Sequence, residues 1–202
     1  MKENLTVSDS KTLFHEQFPY VIPSLFKRIV DEMLVELNLL NHQSEFSQDS
    51  FFCVGLTETF KDLTNGYEPQ KHIKLLFNAL CSSTNFDPNK IDETSTNTIN
   101  EYKDKTLEEI SDLIIKNSPK RIYYSRIFIL GIYKILSTAS NFKEEEDIKK
   151  LVEVDKIVSK LDLPLSRAEK DISLFRSNIK KFEQAKELIR ETILSEREKR
   201  KK

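Results

Sequence analysis

Residues 25–40, LFKRIVDEMLVELNLL, decide the fold class of this chain. Apolar side chains recur there at steps of one, three and four residues, and mainly charged side chains fill the positions between them. This spacing places the apolar residues on one broad face of an α-helix, and that face must be covered by other elements. The segment therefore predicts a long helix that begins behind Pro23, ends near Asn41 and packs into a core.

Patterns of the same kind fill most of the chain and predict an all-α fold. Only three glycines and six prolines occur in 202 residues, which disfavours a turn-rich β fold. The breaks between the patterns indicate a single multi-helix bundle of about eight or nine helices, the last of them long and coiled-coil-like. Its predicted core includes Phe26, Ile29, Met33, Phe60, Phe77, Phe128 and Ile132.

Two glycines lie inside predicted helices and are informative for that reason. Gly55 falls within a helix expected over 47–65, and Gly131 falls within one expected over 121–140. Glycine costs a helix interior about 1 kcal/mol relative to alanine. A neighbouring helix that crosses closely at each position would explain the cost. Gly66 follows the 47–65 segment and is expected to be a left-handed helix cap.

Residues 121–140 and 89–105 stand at opposite ends of the range of hydrophobicity. The former are apolar nearly all round, which places that helix at the centre of the bundle. The latter are rich in Thr, Asn and Ser, with Ile91, Ile99 and Tyr102 as their few apolar anchors. We expect a weakly amphipathic helix there, in the most mobile part of the chain.

The final helix carries the candidate binding residues. Its apolar positions follow a heptad spacing from Leu165 to Ile193 that is interrupted once, at Lys186. We predict a bundle domain over 1–164 and a long helix over 165–202. The helix is expected to dock as far as about Phe182, to project beyond it and to fray at its charged end. Its candidate partner-binding residues are Lys186, Ile189 and Ile193.

No pattern of catalytic or metal-binding residues is found in the sequence. His15-Glu16 begins like a zinc-protease motif, but the second histidine is replaced by Pro19, and the glycines are too isolated for a phosphate-binding loop. Cys53 and Cys81 are 28 residues apart and lie among apolar neighbours, which favours buried, reduced thiols. We therefore expect no enzyme, no cofactor, no metal and no small-molecule substrate.

Charge and hydropathy limit the remaining classes. The 32 basic and 33 acidic residues indicate no nucleic-acid partner. The longest apolar run, 127–133, is far shorter than the ~20 residues of a membrane-spanning helix. The first residues resemble neither a signal peptide nor a transit peptide. Any membrane association is therefore expected to be peripheral, and the candidate membrane-contact residues are Arg197, Lys199, Arg200, Lys201 and Lys202.

Six segments in order, along nearly the whole chain, resemble the thylakoid formation proteins of cyanobacteria and chloroplasts. They are residues 6–11, 22–37, 66–69, 77–81, 123–126 and 176–179. The resemblance implies an all-helical, non-catalytic accessory factor for thylakoid biogenesis and photosystem II assembly or repair. It also implies association with the membrane-anchored FtsH protease complex.

The lack of transit-peptide character suits a cyanobacterial protein better than a plastid precursor. We therefore expect a peripheral protein on the cytoplasmic side of the thylakoid membrane, with a possible cytoplasmic pool. The alternative is a peripheral scaffold that organises thylakoid lipid or vesicles through the basic C-terminal end.

Overall fold

The computed structural model describes residues 5–118, 122–141 and 147–199, and within these ranges helices joined by loops and turns are present, without a strand. The described residues form nine helices, which confirms the predicted fold class and its long final helix. They are α1 (Val7–Gln17), α2 (Ser24–Asn41), α3 (Ser50–Leu63), α4 (Lys71–Ser82), α5 (Pro88–Tyr102), α6 (Leu107–Asn117), α7 (Arg126–Leu136), α8 (Asp147–Lys160) and α9 (Leu165–Lys199).

Side chains cap several helix starts. The hydroxyl of Thr106 accepts a hydrogen bond from the Glu109 amide, and the Glu109 carboxylate accepts one from the Thr106 amide, which together form a reciprocal capping box at the start of α6. Thr6 and Asp9 form a second such box at α1. Since each box satisfies two amides that the first helical turn leaves unpaired, both boundaries are fixed locally.

Helices α3 and α7 cross in close contact. A Cβ atom on Gly55 would overlap the Ile127 carbonyl oxygen and lie 2.9 Å from the Gly131 nitrogen. One on Gly131 would overlap the Phe51 carbonyl oxygen. The predicted close crossing at both glycines is thus confirmed, and the two helices face each other backbone to backbone.

The core consists of two hydrophobic clusters, and α3 and α7 contribute to both. One cluster is built mainly by α1, α2, α4 and part of α3, and the other by α6, α7, α8 and the first half of α9. Of the predicted core residues, all are buried except Ile29, which is half-buried at the edge of the first cluster. Gly66 has a φ of 82°, so the left-handed cap is also confirmed.

Two predictions differ from the structure. Helix α7 begins at Arg126 and not near residue 121, because residues 122–125 are non-helical and Ser125 caps the helix. The apolar spacing of α8 also predicts Val152 on the inner face of that helix, but its side chain is 58% exposed.

The weakly amphipathic helix predicted over 89–105 is confirmed as α5. Its predicted anchors Ile91 and Tyr102 are buried, and the helix packs closely on α3.

Candidate interaction surfaces

The first half of α9 lies on the bundle and runs antiparallel to α2. Ala168, Ile172, Phe175 and Phe182 are its buried apolar residues. The Phe182 ring lies 5.1 Å from the ring of Phe26, near the start of α2. Asp171, earlier in α9, lies in a cleft with Glu36, later in α2. Because the order is reversed, α9 continues beyond the point where α2 begins.

Lys186 contacts the bundle one turn after Phe182. A Cβ atom on Gly66 would lie 3.1 Å from the Lys186 Cε, so the aliphatic stem covers the bare backbone of this turn. The ammonium pairs with Glu183 at 2.9 Å and lies 5.6 Å from the centre of the Phe182 ring. The side chain is only 24% exposed. Lys186 is thus placed against the α3–α4 turn, where glycine leaves room for it.

Beyond Lys186 the described side chains of α9 turn to solvent. Leu188 is 64% exposed and Ile189 is 48% exposed, so both present apolar surface to solvent. The helix backbone continues to Lys199. The side chains of Ile193, Arg197 and Lys199, and all of residues 200–202, lie outside the described part. Sequence reasoning selected Ile189 but missed Leu188, which lies off the heptad seam.

A second surface is a cleft of about 700 Å³ between α2, residues 123–126 and α9. Arg126 at the start of α7 pairs with Glu36 of α2. The Tyr124 hydroxyl donates a 2.7 Å hydrogen bond to Asp171 of α9, and the Arg167 guanidinium lies 4.6 Å from the Tyr124 ring centre. These contacts tie three separate elements together at one point.

The electrostatics of this cleft are those of a structural network. Burial raises the pKa of Glu36, and the nearby Arg126 opposes that shift. Burial and the bond to Asp171 both raise the pKa of the Tyr124 phenol, which remains protonated at neutral pH. Sequence reasoning missed the network because its partners are far apart in the chain. The only signal was the unusual run Tyr123-Tyr124-Ser125-Arg126, quoted above for the resemblance.

The described residues show no arrangement that would hold a metal ion. No group of three or more His, Cys, Asp or Glu side chains converges anywhere in the ranges with described coordinates. Both cysteines are fully buried. Burial raises the pKa of the Cys53 thiol to about 11 and raises that of Cys81 further. Since the thiolate is the reactive form, neither sulfur is activated as a nucleophile.

Fold and surfaces together define an all-helical protein whose exposed features are suited to contacts with other molecules. The family model for thylakoid formation proteins matches residues 6–202. The chain therefore belongs to the thylakoid formation protein family.

The relatives include Protein Thf1 of Prochlorococcus marinus subsp. pastoris, 58% identical over the full length of both chains. Protein Thf1 of a Synechococcus species is 39% identical, covering 99% of this chain and 94% of its own. The solved structure of Psb29 at 1.55 Å superposes with a TM-score of 0.86 at 28% identity, covering 98% of this chain and all of its own.

Membership gives the chain a role in thylakoid formation and photosystem II biology, in a family that is not a known enzyme family. It confirms the resemblance drawn from the six segments. None of the described helices is long and apolar enough to cross a membrane.

Proposed function

We propose that this protein is a non-catalytic accessory factor in thylakoid biogenesis and photosystem II assembly or repair, and that it acts by binding other proteins. The observation that carries the proposal is the exposed apolar surface of α9 beyond Lys186. Leu188 and Ile189 follow Lys186 within one helical turn, on a helix that continues for about ten more residues. Solvent-facing apolar side chains on a projecting helix are typical of a binding segment.

The surrounding charges fit such a role. Arg190 and Glu191 follow the apolar pair, and both are exposed. Alternating charges beside an apolar stripe keep a helix soluble while setting the register of a partner helix. The proposed binding segment therefore keeps the predicted residues Lys186, Ile189 and Ile193 and adds Leu188. Within it, Lys186 contacts the bundle, and Leu188 and Ile189 are exposed.

The proposed partner is the FtsH-type protease complex of the thylakoid membrane, and the proposed location is the cytoplasmic side of that membrane, in peripheral association. The support is the family resemblance, together with a binding segment that extends away from the bundle. A helix of this kind can reach a membrane-anchored complex while the bundle stays outside the bilayer.

The test compares two double variants of the full-length protein in capture experiments with solubilised thylakoids. Leu188→Glu with Ile189→Glu places two charges on the proposed segment. Ile148→Glu with Val152→Glu is the matched control, because those side chains are 77% and 58% exposed on α8. We expect both variants to melt like the parent protein and only the α9 variant to lose FtsH subunits.

If both variants retain FtsH, the exposed part of α9 is not the binding segment. If only removal of the basic residues at the C-terminal end abolishes membrane association while FtsH capture persists, the alternative scaffold function is favoured.

A further inference from the structure

The loop between α1 and α2 carries the most exposed apolar side chain of the described residues. Val21 is 91% exposed, and its neighbour Tyr20 is 47% exposed. Pro19 and Pro23 flank the pair. Because proline fixes its own φ angle and restricts the residue before it, the loop holds a restricted shape with Val21 at its tip.

The loop is anchored to the bundle on one side. Phe18, just before it, is fully buried, and the Phe18 ring lies 6.0 Å from the ring of His72. The Tyr20 ring stacks on His72 with 4.1 Å between ring centres. Leu75, one turn further along α4, is 45% exposed. The result is a convex tip, with Val21 outermost, Tyr20 behind it and Leu75 on the adjoining helix.

The charge around the tip differs from that of the whole chain. Residues 15–28 and 66–75 contain four basic residues and two acidic ones, and with Glu32, which pairs with Arg28, the net is one positive charge, whereas the chain carries a net charge of −1. Lys27, Lys71 and Lys74 are exposed. Within the described part of the chain none of these three lysines forms an ion pair.

We propose that the Tyr20–Val21 tip is a membrane-contact site that inserts into the headgroup region of an anionic bilayer. A protein partner would need a broad, packed contact of about 800 Å² on each side, which a narrow convex tip does not offer. A fluid lipid surface can close around such a tip. Tyrosine is favoured at the membrane interface, and lysines around it attract anionic headgroups.

We expect the attachment to be weak and reversible, because few side chains take part in it. Burying one valine side chain changes a partition coefficient by about tenfold to a hundredfold. Each nearby lysine adds attraction that falls off within a Debye length, so the binding decreases as salt is added. This inference rests on the proposed peripheral association, but it does not depend on the binding segment of α9.

The chain contains no tryptophan, so a single engineered one reports on its own surroundings. Val21→Trp is compared with Val152→Trp, the same change at an exposed valine of α8. The probes are protein-free phosphatidylcholine vesicles with and without phosphatidylglycerol. We expect a blue shift of the emission and quenching by bromine-labelled lipid only for Val21→Trp and only with the anionic vesicles.

A binding measurement complements the fluorescence. We expect Val21→Asp to lower vesicle partitioning about tenfold or more, and Val152→Asp to leave it unchanged, with both variants melting like the parent protein. If the emission of the Val21→Trp protein does not shift when anionic vesicles are added, the proposal is overturned. A shift that requires thylakoid proteins assigns the tip to a protein partner and overturns it too.

FtsH capture by the Val21→Asp protein separates this proposal from the proposed function. Normal capture with lost vesicle binding supports the tip and leaves the α9 segment intact. Normal vesicle binding by Val21→Asp overturns the tip alone.

Discussion

At the scale of single residues, glycine decides how closely the two central helices approach. Gly55 and Gly131 could be predicted as crossing points because each lowers helix stability without an evident local benefit. Their partners could not be predicted, since no local pattern pairs residues 76 positions apart. The structure supplies that pairing, with each glycine facing the backbone of the opposite helix.

Replacing Gly55 by alanine tests this crossing, because the close contact decides whether the change raises or lowers the free energy of unfolding. In an ordinary exposed helix the change stabilises by up to about 1 kcal/mol. Here the new Cβ would overlap the Ile127 carbonyl oxygen, and backbone atoms cannot move aside as a flexible side chain would. We expect a loss of about 3 kcal/mol or more in the free energy of unfolding, measured by urea denaturation. A gain in stability would contradict the close crossing.

Asp49, at the start of α3, makes the stability of the fold depend on pH. Its carboxylate caps α3 by accepting a 2.8 Å hydrogen bond from the Phe52 amide. Burial raises its pKa from 3.8 to about 6, against the lowering effect of its amide donors. The folded state therefore holds this proton more tightly than the unfolded chain. The contribution of Asp49 to stability is fully present below about pH 4 and is lost as the pH rises through 6.

Asp49→Asn keeps an acceptor oxygen and removes the charge. We expect it to stabilise the fold by up to about 3 kcal/mol at pH 8 and to have little effect at pH 4. Urea denaturation of both proteins across this range measures the difference. Asp62→Asn, at another α3 carboxylate, would not reproduce this profile, because Asp62 pairs with Lys134 and does not cap the helix. An equal effect at both pH values would contradict the role of Asp49.

At the scale of elements, the apolar patterns predicted the existence of the helices better than the residues at which they begin and end. The core of α2 followed from spacing alone, because all of its buried residues except Asn38 are apolar. Helix α5 shows the limit. Its buried residues Ile91, Ser95, Thr98 and Tyr102 have the spacing of one helix face. Two of the four are small polar residues that fit against α3, so a pattern based on hydrophobicity undercounts the contact.

The surfaces of α9 and of the cleft beside α2 could be predicted from the sequence only in part, for a different reason. Ile189 could be selected because the heptad seam continues to it, but contact with the bundle extends to Lys186, one turn beyond the expected limit near Phe182. Whether Lys186 faces water or the bundle depends on Gly66, which is 120 residues earlier in the chain. The cleft beside α2 is likewise built from residues that no local spacing brings together. Contacts of long sequence separation therefore account for most of what sequence reasoning missed.

The ion pair between Arg126 and Glu36 is an element-scale feature, since it holds the start of α7 against α2. The two side chains are 33% and 19% exposed, so water reaches them only in part. We expect Arg126→Met to cost about 2 kcal/mol, because Glu36 is left charged and partly buried without its partner.

The double variant Arg126→Met with Glu36→Leu should recover most of that loss, since two apolar side chains replace the pair. Urea denaturation of the two single variants and the double variant gives the coupling energy. Arg28→Met with Glu32→Leu is the control cycle, because that pair is 87% and 48% exposed and contributes little. Equal coupling in both cycles would contradict a special role for the Arg126 pair.

At the scale of the whole molecule, we expect the two hydrophobic clusters to unfold as one cooperative unit. Successive residues of α3 point into different clusters, Phe51 into one and Phe52 into the other. Ile127 and Phe128 do the same on α7. Because the crossing at Gly55 and Gly131 fixes these two helices to each other, neither cluster can loosen without disturbing the backbone that supports the other.

Ile132→Ala measures this coupling. Ile132 is fully buried in the cluster formed with α6 and α8, so its truncation should cost about 2–5 kcal/mol. If unfolding is cooperative, hydrogen exchange must speed up by the same factor in α4, which belongs to the other cluster, as in α6 and α8. Val152→Ala, at an exposed position, is expected to change none of these rates. Faster exchange confined to α6, α7 and α8 would mean that the crossing separates two units of independent stability. The α3–α7 contact would then be a hinge between them, and a partner bound to the end of α9 could act on one half without the other.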